Sequence, residues 1–113
     1  MYEFGDVVLT RFPFTDLSGG KMRPALVVSR DNARRSDLVL AFITSNVRFE
    51  DDPDVLLLAP SAANGLKTRS FVRFDKLATL EMGVIVGKLG EAEPEFLLTA
   101  RPVFHGVFGF GSP

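Results

Sequence analysis

The sequence predicts a small, mainly β domain that ends in one helix. Short runs rich in β-branched and aromatic residues alternate with turn signals at close spacing, which is typical of an all-β barrel or sandwich. The chain has 113 residues, of which 46% are hydrophobic and 24% charged. This composition is sufficient for one domain with a core of its own. No repeat or low-complexity linker divides the sequence, so we expect a single domain over residues 1–113.

The expected strands are spread over the first 90 residues. In chain order, they are Val7–Phe12, Pro24–Ser29, Leu38–Thr44, Val55–Ala59, Ser70–Leu77 and Val84–Leu89. Pro24 can open its strand because a missing backbone N–H is tolerated at the first position. Gly87 lies inside the sixth run, where it predicts a bulge or a close backbone approach.

A helix is expected over Glu91–Arg101. Acidic residues fill its first turn, which suits the positive end of a helix dipole. We expect Pro102 to end or kink this helix, because proline lacks a backbone N–H and clashes with the preceding turn. The Phe- and Gly-rich tail, residues 102–113, has no clear period and receives no assignment.

The composition points to a cytoplasmic protein. Without cysteines, disulfides, thiol catalysis and thiolate zinc sites are excluded. No basic segment followed by an apolar run opens the sequence, so no signal peptide is expected. The longest apolar stretches, such as Val55–Ala59, are far shorter than the roughly 20 residues that span a bilayer. We therefore expect a soluble chain with no membrane partner.

The charge balance gives a weak argument about nucleic acid. The formal net charge is −1, whereas a dedicated nucleic-acid binder usually carries a basic excess. Acidic residues gather at 50–54 and 91–95, however, and cations recur between these segments and before them. Because local patches govern docking, nucleic acid stays among the candidate partners.

Familiar catalytic sets are missing from the sequence. His105 is the only histidine, which excludes a two-histidine ribonuclease pair and a histidine metal cluster. Asp51, Asp52 and Asp54 lack the glycine and the terminal acid of a calcium loop, so they are interpreted as a solvated acidic loop. Gly19-Gly20-Lys21 lacks the Ser or Thr and the upstream glycine of a phosphate-binding loop. We expect no metal and no other cofactor.

With these sets excluded, the remaining candidates for catalysis are arginine and hydroxyl side chains. Arg23 precedes the Pro24 strand, and Thr44 and Ser45 end the third strand. Functional groups concentrate where strand ends meet loops. A guanidinium can stabilise charge on a phosphoryl group without a metal, and a threonine hydroxyl can hydrogen-bond a ribose 2′-OH. From residue chemistry alone, the argument for this pair is weak, because an arginine near a loop is an ordinary surface residue in most proteins.

Several stretches of the sequence occur together in one known family. They are Gly5–Leu9, Phe12–Asp16, Lys21–Ser29, Ala41–Ser45, Ser70–Leu80 and Ile85–Leu89. In this order and spacing, the chain resembles the MazF/PemK family of toxin endoribonucleases over residues 5–90. The specific element is the combination of an Arg-Pro strand opening with a later Ile-Thr pair and a Ser-Phe-Val run.

The resemblance implies an SH3-like β-barrel of about six to seven strands over residues 1–90, followed by a C-terminal helix. It implies metal-independent cleavage of single-stranded messenger RNA, in which the 2′-OH attacks the adjacent phosphate and leaves a cyclic phosphate and a 5′-hydroxyl. A homodimer and a cognate antitoxin, whose extended segment fills the RNA channel, are also implied. Arg23 matches the family arginine that stabilises the transition state, and Thr44 matches the residue that positions the attacking group.

The resemblance also implies substrate contacts. The loop Pro13–Lys21 corresponds to the family's substrate-gating loop, in which Phe14 could stack on a base or anchor the loop, and Lys21 could meet a phosphate. The expected substrate-binding residues are Phe14, Thr15, Lys21, Ser45, Arg48, Lys67, Arg69 and Arg73. Two features depart from the family pattern: the helix is short, and the tail Phe104–Phe110 does not belong to it.

Two functions other than RNA cleavage are compatible with the same fold. A gyrase-poisoning toxin of the CcdB type depends on a C-terminal helix end that carries tryptophan, and this chain has none. A catalytically silent barrel that only binds a partner protein would be favoured by an Arg23 buried against a carboxylate such as Asp75, with no open groove beside it.

Overall fold

The computed structural model describes residues 2–11 and 21–111. Within these ranges, six strands form one antiparallel sheet and one α-helix packs against it. The elements are β1 (Asp6–Arg11), β2 (Met22–Val27), β3 (Asp37–Thr44), β4 (Val55–Leu58), β5 (Ser70–Glu81), β6 (Ile85–Glu91) and α1 (Pro94–Val107). No helix among the described residues is long and apolar enough to span a membrane.

The strand order across the sheet is β4-β5-β3-β2-β1-β6. The outer strands β4 and β6 do not pair with each other, so the sheet is open over the described residues. The predicted mainly β architecture with a C-terminal helix is therefore confirmed. The predicted closure of the sheet into a barrel is not confirmed. Each of the six predicted runs lies on one observed strand, and β5 extends four residues further than expected, to Glu81.

Apolar side chains are buried on both faces of the sheet. One face, together with α1, buries a cluster that includes Val7, Leu26 and Phe74. The opposite face buries a second cluster, which includes Val8 and Val27. Tyr2, which precedes β1, and Met82, which follows β5, cover part of this cluster. Because successive strand residues point to opposite faces, neighbours such as Val7 and Val8 enter different clusters. This explains why the strand sequences contain apolar pairs and do not alternate strictly.

Bulges interrupt β5 and β6. In β5, residues Phe74–Lys76 have no partner on β3, and the pairing resumes at Leu77. In β6, the pairing with β1 leaves out Val86 and Leu89. An extra residue bends a strand and increases its twist. The predicted bulge therefore lies on either side of Gly87, while the close backbone approach expected there is found at Gly90 instead.

The helix is longer than the sequence predicted, and the expected end at Pro102 is wrong. α1 begins at Pro94, in the first turn, where no backbone N–H is needed. Pro102 lies inside it. The carbonyl that loses its donor belongs to Leu98, and both residues are exposed, so water can hydrate this carbonyl.

Packing carries the helix past its proline. The Phe104 side chain lies edge-on to the buried Phe74 ring, with the centroids 6.1 Å apart. Val103 and Val107 pack on the same cluster. Full burial of such a side chain is worth about 1.5–3 kcal/mol. Three partly buried ones together are therefore comparable to the roughly 3 kcal/mol that proline costs inside a helix. The segment without an assignment at 102–113 thus continues α1 to Val107 and then forms a 3-10 turn, Gly109–Gly111.

Candidate active site

Arg23 and Thr44 lie on neighbouring strands at the same end of the sheet. Ala25 of β2 pairs with Phe42 of β3, and this is the last pair between the two strands at this end. Arg23 and Thr44 each lie two residues beyond it, Arg23 on β2 and Thr44 at the end of β3. The fold therefore brings the two predicted catalytic residues to the same end of two neighbouring strands.

A groove of about 370 Å³ opens beside this pair. Its polar lining includes Arg23, Thr44 and Ser45 from the strand ends and Lys67 from the loop that connects β4 to β5. The apolar lining consists of Leu9, Met22, Pro24, Ile43, Leu66 and Leu89. The groove thus offers a cation and hydroxyl groups next to an apolar surface.

The Arg23 guanidinium lies over the ring of Phe42, with Cζ 5.6 Å from the ring centroid. Contact with an aromatic face orients a guanidinium and leaves its charge in place. Asp75 forms an ion pair with Arg73, at 2.8 Å, and not with Arg23. Arg23 is half-buried and lines an open groove. The arrangement that would favour a silent barrel, with Arg23 buried against Asp75, is therefore not observed.

More cations lie beside phenylalanine rings near this end of the sheet. Lys76 lies 5.1 Å from the Phe42 centroid, over the same ring as Arg23. Arg48 and Arg73 lie 4.6 and 4.3 Å from the centroid of Phe49, and Arg69 lies 5.2 Å from the centroid of Phe71. We refer to Arg23, Arg48, Arg69, Arg73 and Lys76 as the cationic face. The three rings beneath it are buried, so they fix the cations at the surface.

Two carboxylates partly neutralise the cationic face. Arg69 contacts Glu50 at 2.6 Å, and Arg73 contacts Asp75 at 2.8 Å. The hydrogen bond from Arg69 lowers the pKa of Glu50, and the hydrogen bond from Arg73 lowers the pKa of Asp75. Both pairs are at the surface, where solvent screens them and a competing anion can displace them.

A buried asparagine holds the groove's other wall. Asn64 lies in residues 59–69, which we call the wall loop, and its side chain is fully buried. Its Oδ1 accepts hydrogen bonds from the N–H groups of Ser61 and Leu66, at 3.1 and 3.0 Å. Its Nδ2 donates to the Ala59 carbonyl at 2.8 Å and to Glu93 Oε1 at 3.2 Å. With all four hydrogen-bonding positions occupied, Asn64 fixes the loop backbone.

Glu93 ties the wall loop to the start of α1. Its Oε2 accepts a hydrogen bond from Ser61 Oγ at 2.5 Å. This hydrogen bond is the main reason that the pKa of Glu93 lies below its ordinary value, and a smaller contribution comes from Asn64. The Glu93 carboxylate therefore holds the wall loop, and it makes no capping hydrogen bond to the N-terminus of α1.

Two glycines allow the wall loop to meet β6 backbone to backbone. Gly65 has a positive φ of 73°, and a Cβ there would lie 2.1 Å from the carbonyl oxygen of Leu89. A Cβ at Gly90 would lie 2.3 Å from the carbonyl oxygen of Ala63. The same Ala63 oxygen accepts a hydrogen bond from the Glu91 N–H at 2.8 Å. The wall loop is thus held from both sides.

The chain matches a family model described as PemK-like, MazF-like toxin of type II toxin–antitoxin system, over residues 3–103. It belongs to this toxin family. The match covers all six strands and most of α1, so it includes Arg23, Thr44 and the wall loop. The resemblance inferred from residues 5–90 is confirmed, and the tail beyond residue 103 lies outside the match.

Solved structures agree with this assignment. The toxin is similar to an endoribonuclease in complex with its cognate antitoxin from a mycobacterial species, with 26% identity, a TM-score of 0.78 and 100% of both chains covered. An endoribonuclease from a mycobacterial species shows 25% identity and a TM-score of 0.74 over 99% of this chain and 95% of that one. MazE-MazF of Deinococcus radiodurans shares the fold, with 23% identity, a TM-score of 0.71 and 96% and 95% covered. No curated protein sequence matches the toxin.

The predicted site residues of the toxin fall into three groups. Ser45 and Lys67 line the groove with Arg23 and Thr44, and Lys21 is exposed just before β2. A second group, consisting of Arg48, Arg69 and Arg73, lies on the cationic face. Phe14 and Thr15 form the third group and lie outside the described residues.

Sequence reasoning missed the groups that hold the groove open. Asn64, Glu93 and Gly90 were not among the expected site residues. The Asn-Gly pair at 64–65 is a turn signal that sequence reasoning could have used. It would have predicted a tight turn at this point, but not the hydrogen bond to Glu93, 29 residues away.

Proposed function

We propose that this toxin is a metal-independent endoribonuclease that cleaves single-stranded messenger RNA at a short sequence. The observation that carries the proposal is the placement of Arg23 and Thr44 at the same end of two neighbouring strands, in the lining of one groove. Similar structures at 25–26% identity are named endoribonucleases, which supports the same activity here.

In the proposed reaction, the ribose 2′-OH attacks the adjacent phosphorus and the bond to the 5′ oxygen breaks. The products are a cyclic phosphate and a 5′-hydroxyl, and the proton of the 2′-OH ends on the departing 5′ oxygen. Arg23 would stabilise the negative charge that develops on the phosphoryl oxygens and would take part in the proton transfer. Its contact with Phe42 holds the guanidinium ready for this role.

Thr44 would position the attacking group. Its Oγ1 already accepts a hydrogen bond from the Asn46 N–H at 3.2 Å, which orients the hydroxyl oxygen. A hydroxyl carries one donor and two acceptor positions, so the oriented group can still hydrogen-bond the ribose 2′-OH. Threonine thus supplies alignment in the proposed mechanism, and arginine supplies charge.

The cationic face would guide the RNA backbone away from the groove. Arg48, Arg69 and Arg73 are proposed to contact phosphates, with Lys21 and Lys67 closer to the groove. Their spacing beside aromatic rings suits single-stranded RNA, which is bound through charge and stacking. Ser45, Phe14 and Thr15 complete the proposed substrate contacts.

The proposal includes the protein partners of the family. A similar endoribonuclease was solved with its cognate antitoxin, and we propose that an antitoxin segment occupies the groove of this toxin and excludes RNA. We further propose that the curved sheet belongs to an SH3-like barrel, that two copies form the RNA channel, and that the toxin acts in the cytoplasm.

Incubation of the purified toxin with a mixed single-stranded RNA pool in a chelator tests the proposed function. Mapping of the new 5′ ends should show cleavage at one short sequence, with hydroxyl groups at the 5′ ends. Arg23→Ala should abolish the cleavage. Arg101→Ala is the matched control, because Arg101 is an exposed arginine on α1 that does not line the groove. An RNA pool left intact by the wild-type protein would refute the proposal.

A further inference from the structure

We infer that Lys76 is a second catalytic cation, which binds the phosphate at the cleaved bond together with Arg23 beside the ring of Phe42. This inference rests on the proposed function, because it assigns a further residue to the same reaction. Lys76 is not among the site residues expected from the sequence or from the family resemblance, and the reaction proposed for Arg23 and Thr44 makes no use of its charge.

Lys76 and Arg23 reach the Phe42 ring from the two strands that flank it. β3 carries Phe42 and lies between β2, which carries Arg23, and β5, which carries Lys76. Arg23 Cζ lies 5.6 Å and Lys76 Nζ lies 5.1 Å from the ring centroid. Phe42 and Thr44 are two residues apart on β3, so their side chains point to the same face of the sheet. Three neighbouring strands thus bring two cations and the Thr44 hydroxyl to one face.

The bulge in β5 puts Lys76 on this face. Arg73 pairs with Phe42 across the sheet and therefore shares its face. In a regular strand Lys76 would point to the opposite face, because it lies three residues further along. Residues 74–76 have no partner on β3, however, and such a bulge re-aims side chains and is common next to active sites. The irregularity of β5 is what turns the Lys76 side chain towards Phe42.

The carboxylate that adjoins Lys76 in the sequence is bound by another residue. Asp75 forms its ion pair with Arg73, at 2.8 Å. The hydrogen bond from Arg73 is the main cause that lowers the pKa of Asp75, and Lys76 makes only a small contribution. Arg23 and Lys76 carry like charges beside one ring, so each raises the local potential at the other. An anion that binds to both cations relieves this repulsion.

Two cations match the charge that the reaction develops. A phosphodiester carries one negative charge, and attack by the 2′ oxygen, as its proton leaves, adds a second before the 5′ oxygen departs. Interactions that are stronger in the transition state than in the ground state accelerate the step. Arg23 offers a planar fork of donors, whereas Lys76 offers a compact charge on a flexible stem. Lys76 supplies charge only, so the proton of the 2′-OH still ends on the 5′ oxygen.

The test separates the charge of Lys76 from its contact with Phe42. Lys76→Met keeps an unbranched apolar side chain beside the ring and removes the charge, and Lys76→Arg keeps the charge. Arg34→Met is the matched control, because Arg34 is exposed in the connection from β2 to β3, at the end of these strands away from Thr44. The kcat and KM for one oligonucleotide of the preferred sequence are measured for each protein. Denaturant unfolding establishes that each variant is folded, and Lys76→Gln replaces Lys76→Met if the latter does not fold.

We expect Lys76→Met to lower kcat by about 10- to 100-fold, somewhat less than the roughly 10²- to 10³-fold loss that follows removal of one donor to a developing oxyanion. Lys76→Arg should restore most of the lost rate, and Arg34→Met should match the wild type. A side chain that only covers Phe42 would leave kcat unchanged in Lys76→Met. That result, or a Lys76→Arg rate as low as that of Lys76→Met, would overturn the inference.

A binding cycle determines which phosphate Lys76 contacts. The Kd is measured for a strand that lacks the 2′-OH at the cleaved position, with either the ordinary phosphate or an uncharged methylphosphonate at that linkage. Lys76→Met should weaken binding of the charged strand by about tenfold, the effect of one hydrogen bond to a charged group, and should not change binding of the neutral strand. Equal losses on both strands would place Lys76 at another phosphate and overturn the inference.

The failure of this inference differs from the failure of the proposed function. A wild-type kcat in Lys76→Met, together with cleavage that Arg23→Ala abolishes, would remove Lys76 from the reaction and leave the proposed function intact. Absence of cleavage by the wild-type protein would overturn the proposed function and the role of Lys76 with it.

Discussion

Replacement of Gly90 by alanine should displace the wall loop although Gly90 does not itself line the groove. The added Cβ would lie 2.3 Å from the carbonyl oxygen of Ala63 and 2.5 Å from the carbonyl carbon of Asn64. Both are backbone atoms, so no change of rotamer can relieve the overlap. Restoring ordinary contact requires a displacement of about 1 Å, which would also break the hydrogen bond from the Glu91 N–H to Ala63.

The expected loss of stability follows from these contacts. Forcing one extra carbon into a packed site typically costs about 1–3 kcal/mol, and the broken hydrogen bond adds about 1 kcal/mol. Gly90→Ala should therefore lower the free energy of unfolding by about 2–4 kcal/mol. Gly87→Ala is the matched control on the same strand, because no atom lies within 4 Å of its Cβ position. It should change the free energy of unfolding by less than about 0.5 kcal/mol.

Denaturant unfolding of both variants measures this difference, provided that the m values agree. Cleavage of a single-stranded RNA substrate by the same proteins measures the groove. Gly90→Ala should lose kcat/KM at a temperature where it is still folded, and Gly87→Ala should keep the wild-type value. Equal unfolding midpoints for the two variants would refute the idea that backbone contact at Gly90 holds the wall loop.

Three further changes test other parts of the structure. Thr44→Val should lower the single-turnover cleavage rate about tenfold or more, because it removes the hydroxyl that aligns the 2′-OH. The free energy of unfolding should fall by only about 0.5–1.5 kcal/mol, from the loss of the hydrogen bond with the Asn46 N–H. Glu93→Gln should make the free energy of unfolding fall less steeply as the pH is lowered into the acid range. The Ser61 hydrogen bond lowers the folded-state pKa of Glu93, so its stabilisation is present above the unfolded pKa of about 4.3 and is lost as the pH falls through the folded pKa. Pro102→Ala should raise the Tm, because it restores an N–H donor to the Leu98 carbonyl at an exposed position of α1.

Each of these expectations has a contrary result. A Thr44→Val rate equal to that of the wild type would remove Thr44 from the mechanism. If the free energy of unfolding falls as steeply at acid pH in Glu93→Gln as in the wild type, Glu93 does not hold the wall loop through its charge. A lower Tm for Pro102→Ala would mean that the helix depends on its proline.

The strands could be predicted because their signal is local. Apolar runs separated by glycine and polar turns placed all six within a few residues. The order of the strands could not be predicted in this way, since β6 pairs with β1 and not with β5, which precedes it in the chain. The end of the helix was wrong for a similar reason: the cost of Pro102 is local, whereas the packing of Phe104 on Phe74 that offsets it is tertiary.

The candidate site likewise has a part that could be predicted from the sequence and a part that could not. Arg23 and Thr44 could be selected from their chemistry and from the family resemblance, but their proximity depends on β2 and β3 being neighbours in the sheet. Asn64 looks like a turn residue in the sequence, and Glu93 looks like an acid at a helix start. Only the folded chain shows that the two are joined by a hydrogen bond.

Single-turnover cleavage of one defined oligonucleotide, with and without a 2′-deoxy substitution at the cleaved position, tests the central assignment most directly. The wild-type toxin should cleave the all-ribose strand in a chelator and leave the 2′-deoxy strand intact. Arg23→Ala should lower the rate on the ribose strand by about 10²- to 10³-fold, as expected for the loss of one group that stabilises developing charge. Cleavage of the 2′-deoxy strand, or an Arg23→Ala rate equal to that of Arg101→Ala, would contradict the assignment of Arg23 and the 2′-OH to the reaction.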